Sequence, residues 1–257
     1  MNSVLVGNGP RKVMVLHGWL GGSASWAPLL PYLDRESHTY AFMDFRGYGE
    51  RVGESGDFTM AEAAEDTMAE IRRLGWDEYS LVAHSMSGLV AQMVVLESGR
   101  NVRGLFGISP VPACGSPLGE REHIFREAVR DTAARESLLS FSTGDGHGDD
   151  LCRVMASESV RDTSPAALDS YLTSWTSEDV SDRLTGMIVP VTVAVGDQDA
   201  AYPPDRMNET WGRYYPNYEL CIIPESGHYP MNENPSDLGA LLEEFISSRT
   251  MADTRNE

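Results

Sequence analysis

The sequence predicts an α/β protein with a mostly parallel central sheet flanked by helices and a helical cap insertion. Three observations lead there. Strand-like and helix-like runs alternate through roughly the first 110 residues, the signature of βα units that build a parallel sheet. No strand signal follows for about 70 residues, too long for a structureless loop in a compact domain, so that interval is read as helical. Two further strand-like runs and an amphipathic helix then close the chain. At 257 residues and 41% hydrophobic, it can bury one sizeable core. The expected organisation is a core domain at 1–113 and 186–249, a helical cap at 114–185 and a frayed tail at 250–257.

Taken in order, residues 13–16 form a short apolar strand ending at His17 and Gly18. Strands follow at 39–43, 79–83 and 102–108, and after the insertion at 189–195 and 218–223. Thr59 followed by Glu62 has the spacing of a capping box, and Gly75 is placed to end the helix between them. Residues 86–96 present Leu89, Val90, Met93 and Val94 at helical spacing. Inside the insertion, Ser164 and Pro165 start a helix whose Leu168, Tyr171, Leu172 and Trp175 fall at i, i+3, i+4 and i+7. The last helix spans 236–248. The glycine-rich acidic stretch at 143–150 reads as a mobile connection, not as a metal loop around His147.

Composition narrows the partners. Twenty basic residues against 39 acidic ones give a net charge of −19, which repels phosphate backbones and anionic headgroups. Nucleic acid and membrane partners are therefore not expected. Cys114, Cys152 and Cys221 lie far apart with no paired spacing, and no apolar run is long enough for a leader or a span. Reduced thiols and a cytoplasmic protein are the expectation.

The chemistry concentrates at Ser85. A strand runs through Ala83 and His84 into this serine and directly into a helix, the context of a nucleophile elbow. The flanking positions must be small, and here they are Ala83 and Ser87. The helix that follows aims its N-terminal N–H groups at an oxyanion forming on Ser85. A plainer reading is a serine N-cap on an ordinary helix. A serine nucleophile needs a base and a group that orients the base. Gly196 to Asp199 follow one late strand and Gly227 and His228 follow the next, so both sit at the strand ends where catalytic groups gather in open α/β sheets.

These segments together resemble the α/β-hydrolase family, in its serine esterase and lactonase branch, from Val13 to about Phe245. L-H-G-W at 16–19 is similar to the family's oxyanion loop, D-F-R-G-Y-G at 44–49 to its D-x-R-G-x-G turn, G-D-Q-D at 196–199 to its acid loop, and S-G-H-Y-P-M-N-E-N-P at 226–235 to its histidine loop. The resemblance implies Ser85 as nucleophile, His228 as base and Asp199, in preference to Asp197, as its partner. It implies oxyanion donors at the N–H groups of Trp19 and Met86. His17 and His84 are read as braces, Asp44 and Arg46 as a structural turn pair, and His38, His123 and His147 as exposed. Few residues precede the first strand, so the sheet is expected to be short at that edge, which bears on stability and on homodimer formation.

The implied reaction is hydrolysis of a small to medium, largely apolar carboxylic ester or lactone through an acyl-enzyme, with no metal or other cofactor. Tyr171, Leu172, Trp175, Phe125 and Phe141 are candidates to line its pocket. A serine at the nucleophile position excludes the epoxide and haloalkane hydrolases, which use aspartate. Carbon–carbon bond hydrolases resemble a pattern with asparagine before the serine and tryptophan after the histidine, where this chain has His84 and Tyr229. The same fold and triad would also suit a perhydrolase or a slow-turnover ligand receptor.

Overall fold

The computed structural model describes residues 3–144 and 148–248. Seven strands form one sheet: β1 (Ser3–Val6), β2 (Arg11–Leu16), β3 (His38–Met43), β4 (Tyr79–His84), β5 (Val102–Ile108), β6 (Val191–Gly196) and β7 (Tyr218–Ile223). Their spatial order is β1-β3-β2-β4-β5-β6-β7, with β1 antiparallel to β3 and every other pair parallel. β1 is a strand that the pattern did not predict. Four residues with exposed Val4 and Leu5 carry no periodic signal, and pairing with β3 alone defines the strand.

Burial on both faces explains the continuous apolar runs. In β2, Met14 and Leu16 face one side with Leu81, Leu105 and Val193, while Val13 and Val15 face the other with Val82 and Phe106. The first side is covered by α1 (Met60–Leu74) and α2 (Ser87–Ser98). Thr59 caps α1 by accepting from the Glu62 N–H, and Gly75 ends it at φ 69°, a conformation that favours glycine. The box is not reciprocal, because the Glu62 carboxylate accepts from Phe58 N instead. α2 is buried from Ser87 to Val95, so its stabilisation comes from packing on all sides, at about 2 kcal/mol for each fully buried Leu or Val.

Between β5 and β6 the chain is helical: α3 (Glu122–Ala128), α4 (Thr132–Ser142), α5 (Gly148–Asp162), α6 (Pro165–Ser177) and the short α7 (Ser181–Leu184). Ser164 caps α6 through Ala167 N with Pro165 at its first turn. α5 begins inside the glycine-rich acidic stretch; His147 lies outside the described residues. The insertion is stitched to the core by Met60 N to Ser174 Oγ, Ser164 N to Gly47 O and Val180 N to Ala113 O. β6 starts at Val191, because Pro190 has no N–H to give a ladder. α8 (Pro204–Tyr214) and α9 (Pro230–Glu233) follow β6 and β7, and α10 (Pro235–Ser248) covers the second face through Leu238, Leu242 and Phe245. No helix among the described residues is long and apolar enough to cross a membrane. The three cysteines are free thiols.

Candidate active site

The sheet topology places the first two parts of the site side by side. β3 lies to one side of β2 and β4 to the other, so the order reverses at β2 and opens a crevice at the strand ends. Leu16 is in register with Ala83, which brings the loop after β2 against the turn after β4. Gly18 is required there. A Cβ on it would lie 2.5 Å from His84 Nδ1 and 3.2 Å from Ser85 Cβ.

Ser85 occupies the turn at φ 54°, a left-handed conformation that is strained for a serine and persists because the surroundings hold it. Its N–H donates to Ile108 O, and its carbonyl accepts from Gly88 N and Val111 N. Ser87, where glycine is usual, directs its buried hydroxyl to Leu16 O and His84 O, both at 2.9 Å, and so ties the elbow to the end of β2.

The structure brings Ser85, His228 and Asp199 into one line. Ser85 Oγ lies 2.9 Å from His228 Nε2, and His228 Nδ1 lies 2.9 Å from Asp199 Oδ2. Asp199 Oδ1 accepts from Ala201 N and Tyr202 N, which fixes the carboxylate. Burial raises the Asp199 pKa, but the imidazole of His228 and these hydrogen bonds outweigh it and hold the group at about 2. An ionised carboxylate selects the tautomer with hydrogen on Nδ1, leaving Nε2 free to accept the Ser85 proton. Asp197 instead accepts from Ser226 N at 3.2 Å, so it ties the loop after β6 to the histidine loop after β7 and does not cap its own turn.

Trp19, on the loop after β2, lines the same cleft as Ser85, and Met86 follows Ser85 directly at the N-terminus of α2. Among the described residues, neither backbone N–H donates to a protein group. The Trp19 indole donates to Leu168 O on α6 and thereby anchors the loop to the insertion.

His17 and His84 are braces. Phe45 N donates to His17 Nε2, so the ring hydrogen sits on Nδ1 and donates to Gly18 O. His84 Nε2 donates to the carbonyl of His228 at 2.8 Å. Burial lowers the pKa of both rings, His84 to about 3, with the charge of His228 adding to the effect at His84. Asp44 and Arg46 do not pair with each other. Asp44 accepts from Ser23 N and Oγ, past the loop that follows β2, whereas Arg46 forks onto Asp66 of α1.

A cleft of about 590 Å³, its open mouth included, holds Ser85 and His228. Of the sequence candidates, Phe125 and Trp175 line it, in an aromatic row with Trp19 at ring distances of 5.6 and 6.0 Å. Tyr171 and Leu172 do not reach it. Both are fully buried, and Tyr171 packs between Phe45, Tyr48 and Phe58 because that turn of α6 faces the core. Phe141 is 67% exposed on the outside of α4, since its neighbours Leu138 and Leu139 take the inward face. Sequence reasoning missed Tyr202, whose ring stacks on His228 at 5.5 Å, and the arginines Arg121 and Arg206. The Asp199–Tyr202 spacing within one turn was a usable signal for the first. His123 is exposed, but His38 is buried, contrary to expectation. It begins β3 with its ring 3.2 Å from Glu243 of α10. Asp34, His38 and Glu243 are the one set of side chains among the described residues close enough to share a metal, yet Glu243 already accepts from Asp34 N and Tyr40 Oη. This cluster anchors α10 to β3.

Comparison with known proteins agrees with the geometry. The model of the Alpha/beta hydrolase family matches residues 13–240. A pimeloyl-[acyl-carrier protein] methyl ester esterase of Edwardsiella ictaluri is 26% identical, covering 95% of this chain and 96% of that one. A non-heme haloperoxidase of Rhodococcus erythropolis is also 26% identical, over 93% of both chains. An esterase from Exiguobacterium antarcticum superposes with a TM-score of 0.85 at 20% identity, covering 95% and 94% of the two chains. The chain belongs to the alpha/beta hydrolase family, and it is a hydrolytic enzyme.

Proposed function

We propose that this protein is a serine hydrolase that cleaves a small to medium carboxylic ester or lactone through an acyl-enzyme intermediate. The observation that carries the reading is the aligned relay from Ser85 Oγ through His228 to Asp199, at 2.9 Å for each step, on the floor of a cleft walled by aromatic side chains. Ser85 Oγ attacks the ester carbonyl carbon as its proton passes to His228 Nε2. The negative oxygen of the tetrahedral intermediate takes hydrogen bonds from the N–H groups of Trp19 and Met86, each donor lowering the barrier by roughly 3 kcal/mol. Asp199 stabilises the imidazolium. The intermediate collapses, the C–O bond to the alcohol breaks, and His228 returns the proton to that oxygen. Water then attacks the acyl-serine with His228 as base, and the acid leaves. In a lactone the alcohol stays attached to the acyl chain, so the product is a hydroxy acid.

The name of the Rhodococcus relative supports a secondary reading on the same residues. Hydrogen peroxide in place of water would convert the acyl-enzyme to a peracid. The test is a rate screen of p-nitrophenyl esters of increasing acyl length beside a panel of lactones, with wild type and Ser85→Ala. The expected result is serine-dependent turnover, lowered about a million-fold in the variant. Equal rates in the two proteins would overturn the mechanism.

A further inference from the structure

The cleft above Ser85 is not electrically neutral. Its lining includes Arg121 and Arg206 and no aspartate or glutamate, although the chain carries 39 acidic residues against 20 basic ones. The sequence led to an apolar pocket for an uncharged ester; the structure puts two cations in its wall.

Arg206, on the first turns of α8, is held from three sides. It donates to Ala201 O at 2.9 Å and Ser116 Oγ at 2.8 Å, and its guanidinium lies 4.9 Å over the Tyr202 ring. The same ring also contacts the histidine, since Tyr202 stacks on His228 with centroids 5.5 Å apart. Those two contacts in series keep the charge within about 10 Å of the imidazole. Arg206 uses two of its five N–H donors on these partners. Arg121, from the turn before α3, makes no side-chain hydrogen bond or ion pair among the described residues, and neither arginine has a carboxylate partner. Some arginines elsewhere, among them Arg46, Arg51, Arg73, Arg126 and Arg183, are neutralised by acids, and the buried Arg135 is satisfied by carbonyls and hydroxyls instead.

An arginine left without a counter-ion beside aromatic walls is poised for a planar two-oxygen anion, which its fork meets with paired hydrogen bonds. The net charge of −19 restricts that anion to low charge, because the summed field opposes a polyanion. Resting on the ester-hydrolase reading above, we propose that the substrate carries a single carboxylate remote from the scissile ester, which Arg206 and Arg121 hold while Ser85 attacks. Monoesters of dicarboxylic acids have this chemistry.

The experiment compares monomethyl adipate and monomethyl suberate with methyl hexanoate and methyl octanoate, by proton release at constant pH. The expected ratio of kcat/KM, carboxylated over neutral, is about tenfold to a hundredfold in wild type, the effect of one charged hydrogen-bonded contact. It falls towards one in Arg121→Gln and in Arg206→Gln, and below one in Arg121→Glu. Arg121 has no partners to lose, so its variants keep the test independent of folding. A wild-type ratio at or below one, with both esters cleaved in a Ser85-dependent way, overturns the proposal and leaves the hydrolase reading standing. If no ester is cleaved, calorimetric binding of adipate to wild type separates the two claims: binding that Arg121→Glu abolishes sustains the carboxylate site while the reaction fails, and absence of binding removes both.

Discussion

The Glu233 carboxylate accepts the backbone N–H groups on both sides of His228, from Gly227 at 2.8 Å and from Tyr229 at 2.7 Å. The same carboxylate accepts from Gly144 at 2.6 Å, just past α4, and His228 N donates to Ser142 O. One buried side chain thus fastens the histidine loop to the helical insertion. Glu233→Ala is expected to lower kcat more than KM changes, because His228 loses its fixed distance to Ser85, and to cost about 2–4 kcal/mol of stability. Steady-state kinetics with denaturant unfolding checks this. A destabilised variant with wild-type kcat would show that the carboxylate holds the fold and not the base.

The backbone at Ser85 is the price of exposing its hydroxyl. A non-glycine residue at φ 54° costs about 1–2 kcal/mol, and glycine does not incur it. Ser85→Gly is therefore expected to abolish turnover while raising stability by about 1 kcal/mol, measured by thermal unfolding. Loss of stability would mean that the Ser85 hydrogen bond to His228 outweighs the strain.

Much of the fold and the triad is legible in the sequence, for physical reasons that differ from element to element. β2, β4 and β5 are buried on both faces, so they read as apolar runs, and the triad residues sit on the turns that end strands. Thr59, Gly75, Ser164 and Pro165 announce helix ends through capping chemistry that is local in sequence. What failed was tertiary. Tyr171, Leu172 and Trp175 share one stripe of α6, but the helix crosses the cleft at its end, so Trp175 alone among them lines it. β1 exists through its partner. Arg206 becomes a cleft residue because α8 packs beside Tyr202, a contact that no periodicity encodes.

Two neutral buried histidines give stability a defined pH dependence. His17 and His84 have folded pKa values below the ordinary 6.5, His84 at about 3, chiefly through burial. On acidification below 6.5 the unfolded chain takes up protons that the folded one refuses. Their contribution is therefore complete above about pH 6.5 and declines as pH falls through the window down to the folded values, at up to about 1.4 kcal/mol per pH unit for each ring. Urea unfolding at a series of pH values from about 5 to 7 should show this slope. His84→Gln should make it shallower; an unchanged slope in that variant would remove His84 from the explanation.

Arg135 is 3% exposed inside the insertion, and no carboxylate faces it among the described residues. Its guanidinium donates to the carbonyls of Ala128 and Val129 at the end of α3, and to Ser159 Oγ and Thr163 Oγ1 near the end of α5. Burial lowers its pKa, yet a group with an ordinary value of 12.5 stays charged at neutral pH, and the negative end of the α3 dipole partly offsets its desolvation. Three helices of the insertion, α3, α4 and α5, are thereby held by one side chain. Arg135→Met keeps the apolar volume and strands the acceptors, at about 1–3 kcal/mol for each one left buried. The sheet core does not depend on Arg135, so the loss should be local. Hydrogen exchange should accelerate across 122–163 while β4 and β5 stay protected, and kcat/KM should fall as Phe125 and Leu138 lose their places in the cleft. Exchange that accelerates equally in β4 would instead mean that the insertion and the sheet unfold as one unit.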